Sequence, residues 1–438
     1  MRKKALLILV ALAVAAIAAL FGGVLEGSRA GGGAAAGNPE AADRLVSGFA
    51  SSDDTAAYVA QFEQRVAENP RDSQGLLLLG LAYQQRARET GDPGYYPRSE
   101  EALRRSLTLA PKNYLAVTGL AALAASRHRF EDARRLAGKA VRLGPASAEA
   151  YGILGDSLLE LGRYRQAFAR FDEMVSRKPT LGSYSRVSYA RELLGRPRAA
   201  IAAMKLAVEA GAGTAEPAAW ALVQRGNLYF DTGRLHAAAL SYRQALVRFP
   251  GYVHAQAALG KVAAARGAYE SAIRRYRGAV AKLPLPQYEA ALGDVLRLER
   301  RPEAAAHAYA VVDATERLLR ANGVRTELET ALFDLDHGRP VADALARARE
   351  AYRERKSIDG DDVLAWALYK SGRCGEALLH SRRALRLGTR DALKTFHRGM
   401  IELCLGHESE GRAFFRRALA INPNFSLLYA PVAREELR

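Results

Sequence analysis

The chain has 438 residues, of which 49% are hydrophobic and 25% charged, so it can bury a sizeable core. Ala and Leu dominate and β-branched residues are sparse, which argues against a β-rich fold and indicates an all-α one. The net charge of +17 would suit an anionic partner, but Arg on solvated helix faces explains it more simply.

The N-terminus has the pattern of an export segment. Three basic residues at positions 2–4 precede an uncharged run over residues 5–25. Residues 1–27 are therefore predicted to be a signal peptide or, if uncleaved, a membrane anchor that spans the bilayer through residues 5–25. The remainder would then be exported, either anchored and facing outward or secreted or periplasmic. Residues 28–55 are rich in Gly, Ala, Ser and Asp and predict a flexible linker. The alternative, a buried N-terminal helix of a cytoplasmic protein, does not explain the basic start.

A repeat of 34 residues follows the linker. Pro111, Pro145 and Pro179 are separated by 34 residues, and so are Pro250 and Pro284. Mid-unit alanines follow the same spacing: Ala133, Ala167, Ala200, Ala238, Ala272 and Ala305. Self-similarity at this period is typical of stacked supersecondary units.

Small residues within each unit lie where two helices must touch. Leu154 and Gly155 would let the first helix approach its partner, and Gly162 would end that helix. Ala167 and Phe171 would supply the contacts of the second helix. Similar sets recur at Gly226, Tyr229, Gly233, Ala238, Tyr242 and Ala245, and at Leu259, Gly260, Gly267, Tyr269, Ala272, Tyr276 and Ala279.

This pattern resembles the tetratricopeptide-repeat (TPR) family over roughly residues 72–425. The resemblance implies an all-α, right-handed superhelical solenoid of about ten helix–turn–helix repeats. A missing terminal proline and a degenerate unit predict a division near residue 321. The first arc would cover residues 56–320 with repeats 1–7, and the second arc residues 321–438 with repeats 8–10.

The resemblance also implies that the first helix of each unit lines a concave groove that binds a peptide or helix of another protein. The groove-facing positions are Asp156, Glu160, Tyr189, Asn227, Phe230, Asp231, Lys261, Asp294, Arg297, Trp366, Tyr369 and Lys370. TPR domains that clamp a terminal carboxylate use a Lys and an Asn. Here Asn227 stands at the Asn position, but Val223 occupies the Lys position, so that clamp is not expected.

The two cysteines offer a covalent link. Cys374 should open the second helix of one unit, and Cys404 should lie near the end of the first helix of the next. Because neighbouring helices pack antiparallel, the two thiols would be close, and export would supply an oxidising setting. A disulfide and a pair of small buried thiols both remain open.

No catalytic motif, metal-ligand spacing or cofactor-binding motif is found in the sequence, so we expect neither an enzyme nor a cofactor. The predicted function is a protein–protein interaction scaffold of the bacterial cell envelope. The alternative is an assembly or carrier factor for an anionic surface polymer, bound through Arg pairs on the outer face. These pairs are Arg104-Arg105, Arg134-Arg135, Arg274-Arg275, Arg382-Arg383 and Arg416-Arg417. Export argues against a nucleic-acid partner.

Overall fold

The computed structural model describes residues 55–438, and the predicted signal or anchor and nearly all of the predicted linker lie outside them. The described residues form 22 α-helices and no strand. The helices are α1 (Thr55–Glu68), α2 (Ser73–Thr90), α3 (Tyr95–Leu109), α4 (Tyr114–Ser126), α5 (Phe130–Leu143), α6 (Ala148–Glu160), α7 (Tyr164–Arg177), α8 (Leu181–Leu193), α9 (Pro197–Ala210), α10 (Ala215–Asp231), α11 (Leu235–Arg248), α12 (Val253–Ala265), α13 (Tyr269–Val280), α14 (Pro286–Leu298), α15 (Pro302–Ala321), α16 (Glu327–Asp336), α17 (Val341–Glu354), α18 (Ile358–Lys370), α19 (Cys374–Ala384), α20 (Ala392–Cys404), α21 (Glu408–Ile421) and α22 (Tyr429–Glu435).

Local chemistry sets where the first helix of many pairs begins and ends. Several of these helices start after a residue whose side chain accepts hydrogen bonds from the free N–H groups of the first turn. Asp72 accepts from the N–H groups of residues 74 and 75, and Asn113 and Ser147 act in the same way. At the other end Gly162 has φ +74°, a left-handed conformation that glycine adopts without a Cβ penalty.

Close contact between the two helices of a pair depends on glycine facing an aromatic ring. A Cβ added at Gly155 would lie 2.6 Å from one ring carbon of Phe171 and closer still to the next, and one at Gly226 would meet the ring of Tyr242 in the same way. These distances are far below van der Waals contact, so any larger residue would push the helices apart. The predicted packing roles of Gly155 and Phe171 are confirmed.

Helices α2 to α21 form ten such antiparallel pairs, and each pair stacks on the next. The predicted all-α solenoid of about ten repeats is therefore confirmed. Helix α1 precedes the first pair, and the short helix α22 follows the last.

The solenoid winds far enough for its second superhelical turn to lie against its first, which the sequence did not predict. Loops within the pairs of the first superhelical turn (α2–α15) touch loops between the pairs of the second (α16–α22). The Ile358 N–H donates to the Tyr164 hydroxyl at 2.6 Å, and the Asn422 amide donates to the Phe230 carbonyl at 3.0 Å. His128 Nδ1 lies 2.7 Å from the Arg325 carbonyl oxygen. These partners are 192 to 197 residues apart, or about six repeats, and we call their line of contact the seam.

The chain also changes neighbours near residue 321. Leu319 at the end of α15 and Val324 in the next loop pack in one apolar cluster with Leu77, Leu103 and Leu120 of the first pairs. The division of the array at this point stays a prediction. Within residues 55–438, no helix combines the length and apolar character needed to cross a bilayer.

Candidate partner-binding groove

A cavity with a volume of about 1300 Å³ lies inside the first superhelical turn. Four first helices of consecutive pairs supply most of its wall: α8, α10, α12 and α14. Residues 85–91 at the end of α2 close one side, and residues 424–428 before α22 close another. We call this space the inner cavity.

Half of the predicted groove residues line the inner cavity. They are Tyr189, Asn227, Phe230, Asp231, Lys261 and Asp294. They come from four different helices at equivalent repeat positions, because the first helix of each pair turns the same face inward. Arg297 lies one turn beyond Asp294 on α14 and is exposed outside the wall.

Contacts between α10 and α12 already hold one cation against this wall. Lys261 Nζ lies 4.0 Å from the ring centre of Phe230 and 3.7 Å from an Asp231 oxygen. Beside them Asn227 accepts a hydrogen bond of 2.8 Å from the Tyr242 hydroxyl. An aromatic face and a carboxylate together thus bind an ammonium group inside the groove.

Asp156 and Glu160 do not line the inner cavity. Both are 5% exposed and pair with arginines inside the protein. Asp156 accepts from Arg186 Nε at 2.8 Å, and Glu160 accepts from Arg355 Nε at 3.0 Å across the seam. Burial raises the pKa of Asp156 to about 6, even though Arg186 opposes the shift. Removing either arginine would leave a buried carboxylate uncompensated.

Of the three predicted groove residues of the second superhelical turn, Trp366 is buried against the C-terminal helix, whereas Tyr369 is half-buried and Lys370 is exposed. Trp366 is 1% exposed and donates from Nε1 to Asp336 at 3.1 Å. Its ring stacks on Tyr369 at 4.9 Å and meets Tyr429 of α22 edge-on at 5.5 Å. Lys370 lies over the same indole, 4.7 Å from its centre. These side chains therefore stabilise the C-terminal end of the solenoid.

The two cysteines lie at the predicted helix ends. The structure joins Cys374 and Cys404 in a disulfide, with their Cα atoms 6.1 Å apart. Cys374 begins α19 and Cys404 ends α20, so the bond links the last two pairs of the second superhelical turn.

Several cavity residues were missed because at most three positions on each first helix were assigned to the groove. Glu192 lies three residues after Tyr189, on the same helical face, and that spacing could have revealed it. Glu216 lies in the first turn of α10 and accepts from the Tyr252 hydroxyl at 3.2 Å. His254 Nδ1 lies 2.7 Å from the Tyr288 hydroxyl, and burial lowers the pKa of His254 to about 4, so its ring is neutral at pH 7. Residues 424–428 could not have been found, because only the seam brings them to the cavity.

The outer face is partly neutralised by acids on the same helices. Arg104 pairs with Glu100 at 2.6 Å, and Arg135 pairs with Asp132 at 3.2 Å. Around α13 a shallow hollow is lined by Arg274, Arg275 and Lys282. Within the described part of the chain, no three His, Cys, Asp or Glu side chains are grouped so that they could hold a metal ion.

Comparison with protein families identifies the same helix pairs as repeats. The family model described as "Tetratricopeptide repeat" matches residues 118–181 and 223–285. These segments cover most of α4 to α7 and most of α10 to α13, with the glycine–aromatic contacts described above. The resemblance to tetratricopeptide-repeat proteins is therefore confirmed over these segments, and such repeats generally serve as scaffolds for protein–protein interaction.

Solved structures with a similar course of the chain include three helical-repeat proteins. The Cut9–Hcn1 hetero-tetramer of the APC/C matches at 16% identity and TM-score 0.38, over 92% of this chain and 90% of that chain. A monomeric IFIT1 mutant with Gppp-AAAA matches at 16% and 0.40, over 83% and 76%. PilW, a type IV pilus biogenesis factor, matches at 15% and 0.39, over 48% and 97%. Similarity at this level carries no argument about what this chain binds. No curated protein matches the chain at a significant level.

Proposed function

We propose that this protein is a scaffold of the bacterial cell envelope that binds a segment of another protein in its inner cavity. The observation that carries the proposal is the cavity itself, whose wall comes from four consecutive pairs. The cavity volume of about 1300 Å³ exceeds the usual volume of small-molecule sites. A continuous concave wall around such a space suits a stretch of polypeptide. Export is supported by the basic and apolar N-terminal pattern and by a disulfide, which persists in oxidising compartments.

Photo-crosslinking in living cells tests the binding site. A photoreactive amino acid replaces Tyr189 in the cavity wall or, as a control, Val247, which is 83% exposed on α11. We expect a discrete covalent adduct with a protein from the Tyr189 position only. The same adducts from both positions, or none from Tyr189, would contradict binding in the inner cavity.

Envelope location is tested separately in intact cells. A thiol reagent that does not cross membranes is added after mild reduction, and labelling of Cys374 and Cys404 is measured on the full chain. We expect labelling without cell lysis, because the solenoid would lie outside the cytoplasmic membrane. Labelling that requires lysis would contradict export.

The second candidate is binding of an anionic surface polymer, and the hollow lined by Arg274, Arg275 and Lys282 favours it. Retention on an anionic polymer matrix that falls with salt and is lost in Arg274→Gln/Arg275→Gln would support this function. Retention unchanged by these substitutions would remove the observation on which it rests.

A further inference from the structure

The inner cavity has the opposite charge to the chain as a whole. Its wall contains two permanent cations, Arg88 and Lys261, and six carboxylates. The carboxylates are Glu89, Glu192, Glu216, Asp231, Asp294 and Asp336. A protein with a net charge of +17 thus encloses an acidic space. Because the acids lie on separate helices, they are not explained by the preference of a single helix for acids in its first turn.

Two of the six carboxyl groups pair with Arg or Lys side chains of the chain, and four do not. Glu89 pairs with Arg86 at 3.1 Å, and Asp231 lies 3.7 Å from Lys261. Among residues 55–438, Glu192 accepts no hydrogen bond from a side chain and forms no ion pair. Burial, followed by the nearby charges of Asp231, Asp391 and Asp359, raises the pKa of Glu192 to about 8, while Lys394 opposes the shift. Near pH 7 this side chain therefore holds a proton until a cation approaches it.

The other three carboxylates are bound by uncharged hydroxyl and indole groups or by histidine. Glu216 accepts from the Tyr252 hydroxyl, and burial raises its pKa despite the nearby Arg88. Asp294 accepts from the Tyr309 hydroxyl at 2.8 Å and lies 2.9 Å from His337 Nε2. Asp336 accepts from the Tyr429 hydroxyl at 2.6 Å as well as from the Trp366 indole. The hydroxyl and indole donors carry no charge, so they orient these carboxylates without neutralising them.

Aromatic rings stand beside the acids. Trp220, Tyr252 and Tyr288 line the cavity together with Phe230, whose face already carries the ammonium group of Lys261 next to Asp231. Trp220 is 6% exposed, and its buried indole N–H has no hydrogen-bond partner in the described structure. A wall that combines aromatic faces with unneutralised carboxylates is suited to Lys and Arg side chains.

We infer that the segment bound in the inner cavity is a basic one, in which Lys or Arg side chains meet Glu192 and Glu216 while the aromatic wall contacts their aliphatic stems. This inference rests on the proposed function and specifies the charge of the partner. The Lys261 arrangement is its internal precedent. An incoming cation would favour the ionised form of Glu192 and would pair with acids to which the fold gives no cationic partner. An acidic segment would instead add negative charge to a space that already has an excess of it.

Binding of labelled peptides to the full-length protein tests the charge. The probes are three short fluorescein-labelled peptides of equal length, in which Arg, Glu or Ser alternates with Ala. We expect the Arg peptide to bind at least about tenfold more tightly than the other two, and its affinity to fall with added salt. The double variant Glu192→Gln/Glu216→Gln keeps side-chain size and should weaken Arg-peptide binding by about tenfold.

A matched control separates the cavity from the general surface. Glu303→Gln removes one exposed carboxylate at the start of α15 and should leave the affinity unchanged. Circular dichroism of each variant shows whether it is folded. Equal Arg-peptide affinity in wild type and double variant, preference for the Glu peptide, or no binding by any peptide would each overturn the inference. Crosslinking from position 189 decides the proposed function independently, because it does not depend on the charge of the partner.

Discussion

Equivalent repeat positions have different surroundings in the two superhelical turns. Asp231 ends α10 and Lys370 ends α18, so Asn227 in the first turn corresponds to Trp366 in the second. Asn227 lines the open inner cavity, whereas Trp366 is buried beneath α22. The repeat register thus predicts which face a side chain takes, but a later segment of the chain decides whether that face is free to bind.

The largest expected difference in stability is between the alanine variants of these two residues. Trp366→Ala removes a fully buried indole and its bond to Asp336, and should lower the free energy of unfolding by about 4 kcal/mol. Asn227→Ala loses one hydrogen bond from Tyr242 and should cost about 1 kcal/mol. Urea unfolding followed by circular dichroism measures both, and equal losses would contradict the difference between the two superhelical turns.

Removing the disulfide should destabilise the second superhelical turn selectively. Cys374 and Cys404 are 30 residues apart, and opening a loop of this length costs about 3 to 4 kcal/mol in the chain-entropy model. We expect dithiothreitol to speed amide hydrogen exchange in α18 to α21 while α6 to α13 keep their protection. The variant Cys374→Ala/Cys404→Ala serves as the control, since dithiothreitol should not change it further. Uniform loss of protection would show that the two turns unfold as one unit.

A pair of glycine substitutions tests the seam between the turns. Gly162 and Gly267 share φ +74°, so alanine costs about 1 to 2 kcal/mol of backbone strain at either position. At Gly162 the new Cβ would also lie near the Lys356 carbonyl carbon, 3.0 Å away, and closer still to its oxygen, whereas nothing lies within 4 Å at Gly267. Gly162→Ala should therefore cost about 3 kcal/mol, clearly more than Gly267→Ala. Equal melting temperatures would mean that the seam adds no stability.

The smallest effect is a pH dependence from the inner cavity. The pKa of Glu192 is about 8 in the folded protein against 4.5 for an ordinary glutamate, so the folded state binds this proton more tightly than the unfolded state. Stability should therefore fall as pH rises from about 5 to about 8. Glu289 and Glu316, whose pKa values burial raises to about 7, act in the same direction.

Calorimetry of variants isolates the contribution of Glu192 to this pH dependence of stability. Glu192→Gln has no proton to lose there, so the fall in Tm with pH should be shallower, while the exposed Glu303→Gln should follow the wild type. A steeper fall in Glu192→Gln, or an unchanged one, would contradict the assigned environment.

Much of the fold was predictable because its contacts are local. The interval of 34 residues, the glycine at helix ends and the glycine–aromatic pairs act within one repeat, so Gly155, Gly162 and Phe171 reveal their roles in the sequence. The groove was predictable in part for the same reason. Tyr189, Phe230 and Lys261 are inward-facing by register alone.

Contacts between residues nearly six repeats apart could not be predicted from the sequence. No periodic pattern shows that Glu160 meets Arg355, or that Asn422 reaches the backbone of Phe230. These long-range contacts bring residues 424–428 to the inner cavity and place α22 over Trp366. The sequence by itself therefore determined the repeating helix pair and the direction of its faces. The superhelical closure decided which face stays open, because the small rotation per repeat accumulates into contacts that no single repeat contains.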